Sequence, residues 1–237
     1  MSRAALIRNR PVTATAAAVV GVLILAGLVA ILVAHARSPV QVIPVLRGGP
    51  AYPARLVDGT VLAGGAGADQ PRIDIYEDPL CPACGHLEQQ VGTALRAALA
   101  AHQVTVRYHL INFLDPLSQP PGYPLTAANA MLCAAEAGIF PDYHASLYAA
   151  QPREGTPGYT LTDLAQLGTT LGAPPDFAAC VRTGRHNQQV RDQLAAFRAD
   201  ANLRVPLPSG TPTLGTPTVV IDGIPTTQPA QAILGSL

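Results

Sequence analysis

The chain is 237 residues long, with 15 arginines, no lysine and 15 acidic residues, for a formal net charge of zero. That balance lacks the basic excess of a nucleic-acid-binding module, so no nucleic-acid partner is expected. A hydrophobic content of 49 % excludes wholesale disorder, while 23 prolines and 21 glycines call for many turns and loops.

The length suits one domain plus a further segment, since domains usually run to roughly 100–200 residues. Val12–Ala34 carries no ionisable side chain. As a helix this run reaches about 35 Å, and a membrane span needs about 20 residues. Arg3, Arg8 and Arg10 precede it. The positive-inside rule then predicts a cytoplasmic segment over 1–11, a transmembrane anchor over 12–34 and everything later outside the cell membrane. A cleaved secretory signal ending at Ala34-His35-Ala36 is the competing expectation, although its apolar core is usually only about 7–15 residues. Either way the four cysteines face an oxidising compartment.

Residues 35–54 are expected to form a linker, a Pro- and Gly-rich stalk from 38 onward. Arg55–Leu62 holds two short apolar pieces around Asp58-Gly59, a hairpin signal. Gly64–Gln70 reads as a loop. Arg72–Tyr76 alternates and predicts a strand. The period changes after Pro79: Cys84, Leu87, Val91, Leu95 and Ala98 recur at helical spacing, and Pro82 suits a first helical turn. Val104–Phe113 alternates again, a second strand. From Thr126 to Ala201 only helical patterns occur, over 126–137, 142–150, 161–171, 175–182 and 187–201. Thr218–Ile221, the Asp222-Gly223 turn and Ile224–Thr226 read as a closing hairpin, and Pro229–Leu237 as a last short helix. A strand–helix–strand unit makes a right-handed parallel crossover. The expected fold class is therefore α/β, a mixed central sheet over 55–237 with a helical insertion at about 114–208. No internal repeat is present.

Cys81-Pro82-Ala83-Cys84 falls at the strand-to-helix junction. A sulfur there meets the unpaired N–H groups and positive dipole end of the helix, which favour its thiolate. Cys81 is thus expected to be the exposed, attacking sulfur. Cys84, one turn on and facing the core, is expected to resolve the mixed disulfide. A structural bridge is the bland alternative, but so short a loop adds little stabilisation. Zinc needs two further ligands, and only His86 is near in sequence; no metal is expected. Cys133 and Cys180 each lie in a helical pattern. Outside the cytoplasm a disulfide between them is the default, with two buried free thiols or a second redox pair as alternatives. Pro217 in Gly215-Thr216-Pro217-Thr218 precedes a β-branched run, which by itself marks only a strand start.

Taken together, Tyr76-Glu77-Asp78-Pro79-Leu80-Cys81-Pro82-Ala83-Cys84-Gly85, the helical insertion and Gly215-Thr216-Pro217-Thr218 resemble the DsbA-like thiol:disulfide oxidoreductases of the thioredoxin fold. The resemblance implies a cis Pro217 facing the cysteine pair. It also implies a groove, shaped by Thr216 and Pro217 with Pro82 and Ala83, in which an unfolded substrate lies extended. The second pair, Cys133 and Cys180, resembles the extra bridge of the actinobacterial branch. Two departures stand out. Many thioredoxin-fold proteins carry a buried acid six positions before the first cysteine, where this chain has Ile75; Glu77, on the same strand face, is the candidate substitute. No His lies between the cysteines.

The resemblance implies a disulfide oxidase acting on exported, unfolded proteins without a cofactor. It would be reoxidised by a quinone-linked membrane partner of the DsbB or vitamin K epoxide reductase type. A reductase or isomerase of the same fold is the first alternative, and a non-catalytic peptide-binding module the second.

Overall fold

The computed structural model of the chain describes residues 42–65, 70–206 and 212–237. The expected anchor over 12–34 lies outside them. Among the described residues no helix is long and apolar enough to cross a membrane.

The expected hairpin is strands β1 (Ala54–Val57) and β2 (Thr60–Gly64). Asp58 and Gly59 both take positive φ, 48° and 75°, which gives a two-residue turn the twist its strands need. Strand β3 (Arg72–Glu77) runs parallel to β4 (Thr105–Leu110), joined by helix α1 (Pro82–Ala100) as the crossover. The alternation seen in sequence is real: Ile73, Ile75 and Glu77 point inward from β3, and Val106, Tyr108 and Leu110 from β4. Helix α1 lays Cys84, Leu87, Val91, Leu95 and Ala98 on the sheet. Burying an aliphatic side chain of this kind contributes roughly 1.5–3 kcal/mol.

Five helices follow before the chain returns to the sheet: α2 (Tyr123–Glu136), α3 (Phe140–Ala149), α4 (Leu161–Leu171), α5 (Asp176–Thr183) and α6 (Asn187–Ala199). Helix α2 starts three residues earlier than its apolar period suggests, because Gly122, at φ 118°, turns the chain and Pro124 opens the helix. Its small alanines let it sink into the core, where nearly every residue is buried. A short ladder of β5 (Val205–Pro206) with β6 (Pro212–Thr213) precedes β7 (Thr218–Ile221), β8 (Ile224–Thr226) and α7 (Pro229–Ser236). The main sheet is mixed and has the order β1-β2-β4-β3-β7-β8. Tyr76 pairs with Thr218 across β3 and β7, which brings the segment before β7 alongside the start of α1.

The stretch expected to be a stalk is mostly exposed over its described part but is fastened to the domain at several points. Ile43 is buried in the core, and the Leu46 N–H donates to Ser146 Oγ at 2.9 Å. Arg96 of α1 fastens this strap. Its guanidinium donates to the Pro50 carbonyl at 2.9 Å and to Asp142 on α3 at 2.6 Å, and it lies over the Tyr52 ring.

Candidate active site

Cys81 occupies the N-cap of α1 with extended backbone (φ −71°, ψ 115°) and no side-chain cap of its own. Main-chain N–H groups of Ala83 and Cys84 therefore turn toward its sulfur. Cys81 and Cys84 are free thiols. A hydrogen bond from the Cys84 thiol, reinforced by the Thr216 side chain and those two N–H groups, outweighs burial and pulls the Cys81 thiol down to about 6. Cys84 goes the other way, pushed well above the thiol range by burial and then by the neighbouring Cys81 charge. One sulfur is thus a thiolate at neutral pH and the other a thiol.

The Thr216–Pro217 peptide bond is cis. The Cys81 Sγ lies 3.1 Å from the Thr216 main-chain oxygen, to which the thiol donates. Cys81 is not the exposed group expected of an attacking sulfur: the residue is only 5 % accessible. The Thr216 carbonyl lies directly against its sulfur. Pro82 and Ala83 are exposed. An apolar groove beside the pair is lined by Ala83, His86, Leu87 and Pro217, with Pro229 and Leu234 from α7. The structure therefore gathers Cys81, Cys84, Pro82, Ala83, Thr216 and Pro217 in one place.

Of three supporting groups, only Glu77 was signalled in the sequence, as the candidate buried acid; Asp78 and Gln151 were not. Asp78 is fully buried and spans two segments: Oδ1 accepts from the Leu80 N–H and Oδ2 from the Leu114 N–H, both at 2.8 Å. Burial pushes its carboxyl up to about 7, against those two hydrogen bonds, and the Cys81 charge adds to the rise. Gln151, just past α3, donates from one amide nitrogen to the Pro79 and Cys81 carbonyls, each at 2.9 Å. It clamps the turn that carries the first cysteine. Glu77 is buried rather than solvated, its charge helps to raise the Cys84 pKa, and it accepts from His144 Nε2 at 2.7 Å.

Cys133 on α2 and Cys180 on α5 form a disulfide, with Cα atoms 6.0 Å apart. His186 stands beside it with Nε2 3.2 Å from Glu136 Oε2. The two sulfurs are bonded to each other and offer no thiolate to a metal.

A family model described as Thioredoxin matches residues 58–232, which takes in the whole sheet from the β1–β2 turn onward, the cysteine pair and the cis-proline. The chain belongs to this thioredoxin family. Among solved structures, MdbA of Corynebacterium diphtheriae, a thiol-disulfide oxidoreductase, superposes with a TM-score of 0.68 at 21 % identity, over 81 % of this chain and 96 % of that one. DsbA of Mycobacterium tuberculosis gives 0.60 at 24 % identity, over 78 % and 90 %. These likenesses are of fold. The serine/threonine-protein kinase PknE of Mycobacterium tuberculosis is 37 % identical over 119 residues, 47 % of this chain but only 21 % of that protein, so the chain spans about a fifth of that relative's length.

Proposed function

We propose that the protein is an extracytoplasmic thiol:disulfide oxidoreductase that introduces disulfide bonds into exported proteins through Cys81 and Cys84. The observation that carries this reading is the opposed pull on the two sulfurs, one lowered to about 6 and the other raised. A substrate thiolate attacks Cys81 of the oxidised pair, Cys84 leaves, and a mixed disulfide stands at Cys81. A second substrate thiolate attacks the substrate sulfur of that bond. Cys81 then leaves, and a low-pKa sulfur is a good leaving group. The reaction runs toward oxidised substrate because the reduced enzyme holds its Cys81 as a stabilised thiolate.

The groove along Ala83, Leu87, Pro217 and Leu234 suits an extended apolar chain. The main chain at Thr216 and Pro217 offers groups to pair with it as an added strand. The uncharged run over 12–34, preceded by three arginines, favours a single-pass anchor with the catalytic domain outside the cell membrane. An anchor of that kind raises the effective concentration of a quinone-linked membrane reoxidase in the same plane. The likeness to MdbA and DsbA supports the same reading.

Equilibration of the full chain in glutathione redox buffers tests it. A reduction potential near about −120 mV is expected, the range of strong oxidants, and one near about −270 mV would make the protein a reductase instead.

A further inference from the structure

Helix α1 carries a buried glycine, Gly85, directly after the second cysteine. Glycine is unfavourable inside a helix, and Gly85 takes no positive φ that would call for it. The reason for it is steric. A Cβ at this position would stand 2.5 Å from the side-chain oxygen of Gln151.

Gln151 is itself held in place. Its main-chain N–H donates to the Tyr148 carbonyl in the last turn of α3, at 3.3 Å. The Tyr159 hydroxyl donates to the Ala150 carbonyl at 2.7 Å. Pro152 follows and narrows the conformations open to Gln151. From there the amide nitrogen donates to the Pro79 and Cys81 carbonyls, each at 2.9 Å. The peptide group between Pro79 and Leu80 is thereby held at both ends, because its N–H donates to Asp78 Oδ1. The Cys81 N–H donates to the Asp78 carbonyl at 3.0 Å and closes the turn.

The bond to the Cys81 carbonyl is the one that bears on the sulfur. Pro82 fixes its own φ and has no N–H. The ψ torsion of Cys81, at 115°, then decides how the sulfur stands to the N–H groups of Ala83 and Cys84. That torsion turns together with the Cys81 carbonyl. A carbonyl anchored by Gln151 cannot swing, so the sulfur stays against the helix terminus.

We infer that Gln151 is a positioning residue for the redox reaction: its amide fixes the Cys81 carbonyl and so holds the sulfur at the start of α1, in a space that Gly85 leaves open by having no side chain. The inference rests on the redox role of Cys81 and Cys84 proposed above. It gives the helical insertion a part in the chemistry, whereas the groups that hold the sulfur directly come from α1 and the Thr216–Pro217 segment. A Gln151 that merely tied two elements together would affect stability and leave the sulfur unaltered, so titration of Cys81 separates the two roles.

The test uses the reduced full chain. Iodoacetamide alkylation of Cys81 is followed by peptide mass across a pH series, with far-UV circular dichroism to establish folding. Gln151→Ala should move the midpoint up by about one unit, the scale of one lost hydrogen bond near a charge. Gly85→Ala should do about the same, because the atom its methyl group displaces is the far end of the flexible Gln151 side chain. In the double variant the two shifts should not add, since both act through one contact. An unmoved midpoint in folded Gln151→Ala or in Gly85→Ala overturns the inference. A double variant shifted by the sum of the two also overturns it, because Gly85 would then act on the sulfur without Gln151. Should Gln151→Ala fail to fold, Gly85→Ala decides alone by the same criterion. A wild-type Cys81 that titrates as an ordinary thiol would sink the redox reading itself, whereas unmoved variants beside a low wild-type midpoint remove only the role of Gln151.

Discussion

The sulfur of Cys81 lies 3.1 Å from the main-chain oxygen of Thr216, a residue 135 positions later in the chain. The contact joins the start of α1 to the cis-proline segment. It also divides two influences: the carbonyl accepts from the thiol and so favours the protonated form, while the Thr216 side chain helps to hold the thiolate. Replacing only the side chain separates them. Thr216→Val should raise the Cys81 pKa by about one unit, the scale of one lost hydrogen bond to a charge. The pH dependence of iodoacetamide alkylation measures it, and an unmoved midpoint would show that the hydroxyl plays no part.

Asp78 and Cys81 repel each other when both are charged. Asp78→Asn should therefore lower the Cys81 pKa further, read in the same alkylation profile. The amide has one acceptor oxygen where the carboxylate has two, so either the Leu80 or the Leu114 N–H loses its partner. Below about pH 4, where Asp78 is a neutral acid with one full acceptor of its own, the variant should be about as stable as wild type in urea unfolding, and as the pH rises from about 4 to 7 the wild type should lose stability relative to it.

The lowered pKa of Cys81 makes the stability of the reduced protein depend on pH. The folded value is about 6 against an ordinary thiol value of 9.0. The thiolate's contribution is complete above about pH 9 and is lost as the pH falls through 6, and it amounts to something on the order of 2–4 kcal/mol. Cys84 titrates above this window, because its pKa is raised. Reduced wild type should gain stability over Cys81→Ser as pH rises from about 6 to 9, as urea midpoints will report. A gap that stays flat would mean that the thiolate is not stabilised by the fold.

Cys133 and Cys180 close a loop of 47 residues between α2 and α5. By the chain-entropy estimate their bond contributes roughly 4 kcal/mol. Cys133→Ser should lower stability by an amount of that order, with the alkylation rate of Cys81 unaltered. Peptide mapping without reductant should recover the two segments linked in the wild type.

The sheet and helices were legible in sequence because their signals are local. Alternation marked β3 and β4, the aspartate–glycine pairs marked both hairpin turns, and the Cys-x-x-Cys marked the start of α1. The cis bond at Pro217 came from resemblance rather than from any local signal. The clamp on the redox turn was illegible, since Gln151 reaches its two carbonyls from about 70 residues away. His144 looked like any helical residue until α3 set it against Glu77, and Cys81 looked exposed until the fold set the Thr216 carbonyl against its sulfur. The strap's contacts were equally silent: its prolines and glycines describe a chain without secondary structure, which a segment fastened to a domain can equally be.

That strap has a practical consequence for anyone trimming the protein to a shorter fragment. A fragment starting at Arg55, where the sheet suggests a natural edge, would discard Ile43 from the core and strip Arg96 of its carbonyl partners at Gly49 and Pro50. It would also leave the Glu88 side of α1 open to bulk water. The shortest faithful version begins no later than Val42, and differences in unfolding between the two lengths would report what those 13 residues contribute.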